Sequence, residues 1–77
     1  MDINLADVTL HVDEELKDEA RAKLEEAFRS REGVISVHNA EGKPHLWVLE
    51  FNPEIIHARD LLSIVNYQGL HGELVGL

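Results

Sequence analysis

The sequence predicts an α+β domain with the element order β-α-β-β-α-β, folded as a four-stranded antiparallel sheet with two helices on one face. Three observations lead there. Apolar and polar residues alternate at strand spacing in Val8–Val12 and His45–Phe51; apolar residues recur every three or four positions in two further stretches, 16–28 and 58–65; turn-forming residues separate the segments. Two βαβ units with right-handed crossovers interleave into such a sheet and leave its second face open.

In the first strand Val8, Leu10 and Val12 face a core, Thr9 and His11 the other side. Asp13 offers a side-chain oxygen to the free amides of a helix start, and Glu14 and Glu15 sit where the helix dipole favours negative charge. Leu16, Ala20, Leu24, Ala27 and Phe28 form one apolar stripe on a helix reaching Arg29 or Ser30. Glu19 with Lys23, and Glu25 with Arg29, add acid-before-base pairs four residues apart, and Arg29, Arg31 and Gly33 supply the stop. Val34–His38 and His45–Phe51 are runs of strand formers joined by the turn residues Asn39–Pro44, which reads as a hairpin. In the second run one register puts both aromatic rings, Trp47 and Phe51, into the core with Leu49; Leu46, Val48 and Glu50 then lie on the open face. Asn52-Pro53 opens the second helical segment, whose regular helix begins as late as His57 and whose stripe is Ala58, Leu61, Leu62 and Val65. Gly69 closes it, and Leu70–Leu77 has room for a last strand. The order is that of a ferredoxin-like fold, with residues 1–77 making one domain.

Composition narrows the function. The chain has 77 residues, seven Lys and Arg against 15 Asp and Glu, five His and no Cys. A chain this short buries roughly 60% of its unfolded surface, so packing has little to spare for strain. Without cysteine there are no disulfides, zinc ribbons, iron–sulfur clusters or thiol catalysis. A net charge of −8 opposes binding to phosphate backbones and anionic membranes, and no apolar run approaches the ~20 residues of a membrane span. Met1-Asp2-Ile3-Asn4 lacks the basic start of a secretory signal, which gives a cytoplasmic expectation.

Val8-Thr9-Leu10-His11-Val12-Asp13, Glu32-Gly33-Val34-Ile35-Ser36-Val37-His38, Gly42–Asn52 and Asn66-Tyr67-Gln68-Gly69-Leu70 follow one another at a spacing that resembles the heavy-metal-associated domain. That is the fold of small copper chaperones and of N-terminal modules of copper- and zinc-pumping ATPases. The four segments are similar to its first strand, the Gly-Val-x-Ser-Val run opening its second, its turn and third strand, and the Gly-Tyr after its second helix. The family's metal motif, Gly-Met-x-Cys-x-x-Cys, lies between first strand and first helix. Laid on this chain without gaps, its Gly and Met fall on Glu14 and Glu15 and its two cysteines on Lys17 and Ala20. Both thiolates are gone, so a soft ion such as Cu(I) has no sulfur ligand there, and Lys17 adds a positive charge. Leu70 replaces the aromatic that many bacterial members carry near the site.

Five histidines invite a different metal chemistry. In the fold that the resemblance implies, the last strand lies beside the first, which brings His11 near His71; with Asp13 or Glu73 they would ligate Zn²⁺, Ni²⁺ or Cu²⁺. The competing reading is of solvated polar residues on an open face. His57-x-x-Asp60 reads as helix-surface polarity, and Asp13–Glu19, with five acids in seven residues, lacks the alternating ligands and mid-loop Gly of an EF-hand. Leu46 and Val48, with Val75, form an apolar patch on the open face, the kind of surface that marks a partner or a second copy. Ser30, Ser36 and Ser63 have no recognisable His–Asp partner, there is no Gly-rich phosphate loop, and Lys43–Leu49 lacks the basic–Gly–aromatic pattern of an RNA-binding strand.

The expectation is therefore a non-enzymatic binding module without a bound cofactor, acting through contacts with another protein or with itself. The alternatives are a metal carrier using His and carboxylate ligands in place of Cys, and a small-molecule effector domain of the same topology.

Overall fold

The computed structural model describes residues 4–76 and contains six elements: β1 (Ala6–Val12), α1 (Asp18–Arg29), β2 (Val34–Asn39), β3 (Leu46–Phe51), α2 (Ala58–Tyr67) and β4 (Gly72–Gly76). The strands lie in the order β2-β3-β1-β4, every neighbouring pair antiparallel. This is the ferredoxin-like arrangement, in which the two crossovers interleave and leave β2 and β4 at the edges. Leu77, the last residue of the expected final strand, lies outside the described residues.

Trp47, Leu49 and Phe51 all point to the helices. Leu10 stands opposite Trp47 and Val8 opposite Leu49, so the inward residues of β1 and β3 interlock at the centre of the sheet. Leu24 and Phe28 of α1 and Leu61, Ile64 and Val65 of α2 close over them, with Val12, Val37 and Ile56 completing the core. Trp47, Phe28, Leu10 and Leu49 are each 0% exposed, and among the described residues no polar residue is buried with them. Both helices thus spend their apolar stripes on one face of the sheet.

Several boundaries differ from the sequence pattern for local reasons. The helix α1 begins at Asp18, not after Asp13, with Lys17 at its N-cap. The Asp13 amide instead donates to the His71 carbonyl at 2.7 Å, which extends the β1–β4 pairing past the strand and leaves 13–17 as a loop. Ala20, on the first turn, is consequently exposed rather than part of the stripe; Leu16 packs against the core from the loop before it. Glu25 and Arg29 close at 3.4 Å, whereas Glu19 and Lys23 do not form an ion pair. Asn52 forms a turn, its side-chain oxygen accepting from the Glu54 amide at 2.9 Å. Helix α2 starts five residues after Pro53, at Ala58, where the His57 amide donates to Asp60 Oδ2 at 2.9 Å. The His57-x-x-Asp60 spacing is therefore half of a capping box, a helix-start device.

The loop from α1 to β2 turns at Gly33, whose φ of 99° suits glycine alone. A Cβ there would stand 2.8 Å from Ile56 Cγ2, so the position also admits no side chain without movement. At the exposed β2 edge Arg29 Nη2 donates to the Val37 carbonyl at 3.3 Å, capping one of the acceptors that an open strand edge offers to other chains. Among the described residues no helix is long and apolar enough to cross a membrane.

Candidate functional site

The two positions onto which the cysteines fall, Lys17 and Ala20, are both exposed at the start of α1. Their neighbours in a shallow surface depression are Glu15, Glu19 and Lys23. Two ammonium groups, two carboxylates and a methyl group do not fit a thiophilic ion, which requires thiolate or thioether sulfur.

A second constellation lies where β1 runs out beside β4. His11 points to the open face and is paired across the strands with Glu73 on one side and Leu46 on the other. His11, Asp13 and Glu73 each offer a ligating atom, and these atoms lie within 4.8 Å of one another. His11 Nδ1 is 3.2 Å from Asp13 Oδ1. The contact has the length of a hydrogen bond but not its direction, and Nδ1 is shielded from solvent without a hydrogen-bond partner. The His11 ring stacks on that of His45, centroids 5.6 Å apart and planes 22° from parallel. His45 is itself fixed: its Nδ1 donates to the Val12 carbonyl at 2.8 Å, and its own carbonyl accepts from the Val12 amide at 2.8 Å.

His71 goes elsewhere. Its backbone amide donates to Glu14 Oε1 at 2.8 Å and its Nδ1 to Oε2 at 2.6 Å, so both carboxylate oxygens are engaged by one residue. Hydrogen bonds from the His71 amide and then its ring hold the Glu14 carboxyl below the usual carboxylate range, and the same bond to Glu14 raises the His71 imidazole above its ordinary value. The pair ties the β1–α1 loop to the start of β4. The sequence placed His11 and His71 together with Asp13 or Glu73; the fold brings His11 to both of those acids and gives His71 its own partner, Glu14. Two participants carried no sequence signal: Glu14 is one of five acids in a run, 57 positions from His71, and His45 reads as a strand-start residue.

The rest of the open face is mixed. Leu46 and Val48 are half-buried on it, Leu46 at the start of β3 opposite His11 and Val48 farther in, flanked by His38 on β2 and Thr9 on β1. Val75 is 58% exposed in β4, at the irregularity where the register shifts between Thr9 and Leu10. Farther along, Glu50 lies opposite Asp7, two carboxylates facing across neighbouring strands, and Ser36 Oγ donates to Glu50 Oε1 at 2.7 Å.

No sequence-family model matches this chain, and no curated protein matches it. Solved structures do. The chain is similar to the copper-binding domain of HMA7, a P-type ATPase, with a TM-score of 0.82 and 16% identity over 91% of this chain and 93% of that one. It is similar to oxidized MerP from Ralstonia metallidurans CH34, with a TM-score of 0.81 and 18% identity over 92% of this chain and 97% of that one. It is also similar to the N-terminal domain of a potential copper-translocating P-type ATPase from Bacillus subtilis in its Cu(I)-loaded state, with a TM-score of 0.83 and 18% identity over 94% of this chain and 89% of that one. At such identities the likeness is one of fold. The chain has the ferredoxin-like fold of heavy-metal-associated domains and carries no cysteine with which to build a thiolate metal site.

Proposed function

We propose that this chain is a non-catalytic cytoplasmic binding module that uses the open face of its sheet to dock a protein partner. One observation carries the reading: Val48 sits near the centre of that face with Leu46 beside it toward the β1–α1 end, both half-buried, while both helices pack on the opposite side. Apolar residues at the middle of an exposed sheet, rimmed by polar ones, suit a contact with a small dry centre. The rim is acidic, with Asp7, Glu50 and Glu73, on a chain of net charge −8. Charge therefore favours a partner with a basic rim over a second copy of this chain, whose like charges would repel.

The side-chain chemistry supports a non-catalytic role. Ser30 and Ser63 donate to backbone carbonyls of their own helices, Ser36 donates to Glu50, and none of these hydroxyls is paired with a histidine. The lysine and alanine at the cysteine positions support a module that does not pass soft metal ions to its partner.

The test is a charge placed in the centre of the patch. Val48→Glu should keep the fold, since the side chain points away from the core, and should abolish capture of partners that wild-type protein retains at low salt and releases at high salt. Partners held equally by wild type and variant would refute the docking surface. Light scattering on the same pair separates the self-association version: a parent that dimerises, and a variant that does not, would replace the foreign partner with a second copy.

A further inference from the structure

At the end of the open face nearest the β1–α1 loop, His11 and Asp13 from the end of β1 converge with Glu73 from β4. We propose that these three residues form a binding site for a divalent first-row transition ion of the Zn²⁺ class, independent of the Lys17 and Ala20 positions and of sulfur.

The donor set defines the class of ion. One imidazole with two carboxylates suits Zn²⁺, Co²⁺ or Ni²⁺ and lacks the sulfur that selects Cu(I). Two carboxylates balance the charge of a divalent ion, and neither Asp13 nor Glu73 has a Lys or Arg partner among the described residues that would neutralise it instead. The net charge of −8 raises the local concentration of cations.

The geometry points the same way. His11 Nδ1 and Asp13 Oδ1 are 3.2 Å apart without hydrogen-bond alignment, and Nδ1 is otherwise unpartnered. Two ligands each ~2.1 Å from one ion are themselves about 3.0 to 3.4 Å apart, for octahedral and tetrahedral angles respectively. The His11–Asp13 contact thus already has the length of one edge of a coordination shell. Glu73 is exposed and free to swing, so closing from 4.8 Å needs a rotamer change and no backbone movement. Two supports hold the other ligands in place before any ion arrives. Stacking on His45, itself anchored to Val12, fixes the His11 ring, and the hydrogen bond from the Asp13 amide to the His71 carbonyl fixes the Asp13 backbone. Outer contacts of this kind orient ligands at metal sites generally. His71 remains with Glu14 and is not a ligand in this set.

Calorimetric titration of the full chain with Zn²⁺ alone, and with Co²⁺ followed by its visible absorption, tests the site. The expected result is one ion per chain with a Kd near or below about 10 μM. His11→Ala, and the near-isosteric Glu73→Gln and Asp13→Asn, should each weaken it at least about tenfold. His38→Ala, on the same face at the far side of β3, should leave it unchanged. Unaltered circular dichroism in the Gln and Asn variants separates ligand loss from unfolding. Absence of saturable binding up to about 1 mM, or binding that survives all three ligand substitutions, overturns the proposal.

Discussion

The two faces of the sheet are cut from the same strands and follow opposite rules. Toward the helices, alternate residues of β1 and β3 are uniformly apolar, and all but the half-buried Ala6 are buried. Toward solvent, the residues between them are Asp7, Thr9 and His11 on one strand and Leu46, Val48 and Glu50 on the other, with like charges directly opposed at one end and unpaired ligand atoms at the other. Because side chains alternate with a period of two, one choice of register assigns each residue to a face. The difference shows a small domain meeting its stability requirement entirely on one side, which leaves the second side free to hold arrangements that do not stabilise it.

Adjacent residues give the sharpest contrast. Trp47→Ala removes the largest fully buried side chain and should cost about 3–5 kcal/mol. Domains of this size have a total of only ~0.05–0.15 kcal/mol per residue, about 4–12 kcal/mol for 77 residues, so the variant should lose a large share of its stability. Val48→Ala, one position on, should cost about 1 kcal/mol or less. Urea denaturation followed by circular dichroism measures both; similar midpoints for the two variants would mean that the open face contributes to folding after all.

Two glycines extend the contrast beyond the strands. Gly33 and Gly42 both have positive φ, 99° and 72°, but a Cβ at Gly33 would strike Ile56 and Ile55 at 2.8 and 2.9 Å while one at Gly42 meets nothing within 4 Å. Gly42→Ala should therefore show backbone strain alone, about 1 kcal/mol. Gly33→Ala should add overpacking, for a total of about 2–4 kcal/mol. Thermal melts of the two variants check the order, and a Gly42 variant as damaged as the Gly33 one would remove packing from the account.

The core was legible in the sequence because it rests on short-range pattern. Trp47, Leu49 and Phe51 at every second position, and Leu24 with Phe28 at four, specify faces without knowledge of what they meet. The candidate site was legible only as a neighbourhood. His11, Asp13 and Glu73 could be named because the resemblance placed the last strand beside the first, but their grouping depends on the register of the β1–β4 pair, and β4, with Gly72 and Gly76, has few side chains with which to announce one. The helix start was misplaced for a related reason. Asp13 is a good cap by composition, yet its amide is claimed by His71 from the far end of the chain, and a long-range hydrogen bond leaves no local periodicity.

The smallest effect tests the comparison from the open side. Asp7 and Glu50 face each other across β1 and β3, and Glu50 is held in place by the Ser36 hydroxyl. Like charges directly opposite in a sheet destabilise it. Asp7 is exposed and, among the described residues, accepts no hydrogen bond from another side chain, so Asp7→Asn removes the repulsion with little other disturbance. The substitution should raise stability by about 0.3–0.5 kcal/mol at low ionic strength, a gain that fades toward 1 M salt, where the screening length falls to about 3 Å. Urea midpoints for parent and variant at the two salt concentrations measure it. A gain independent of salt would assign the effect to something other than charge. A loss would show that the opposed carboxylates are compensated, and that the acidic end of this face supports folding as the helix side does.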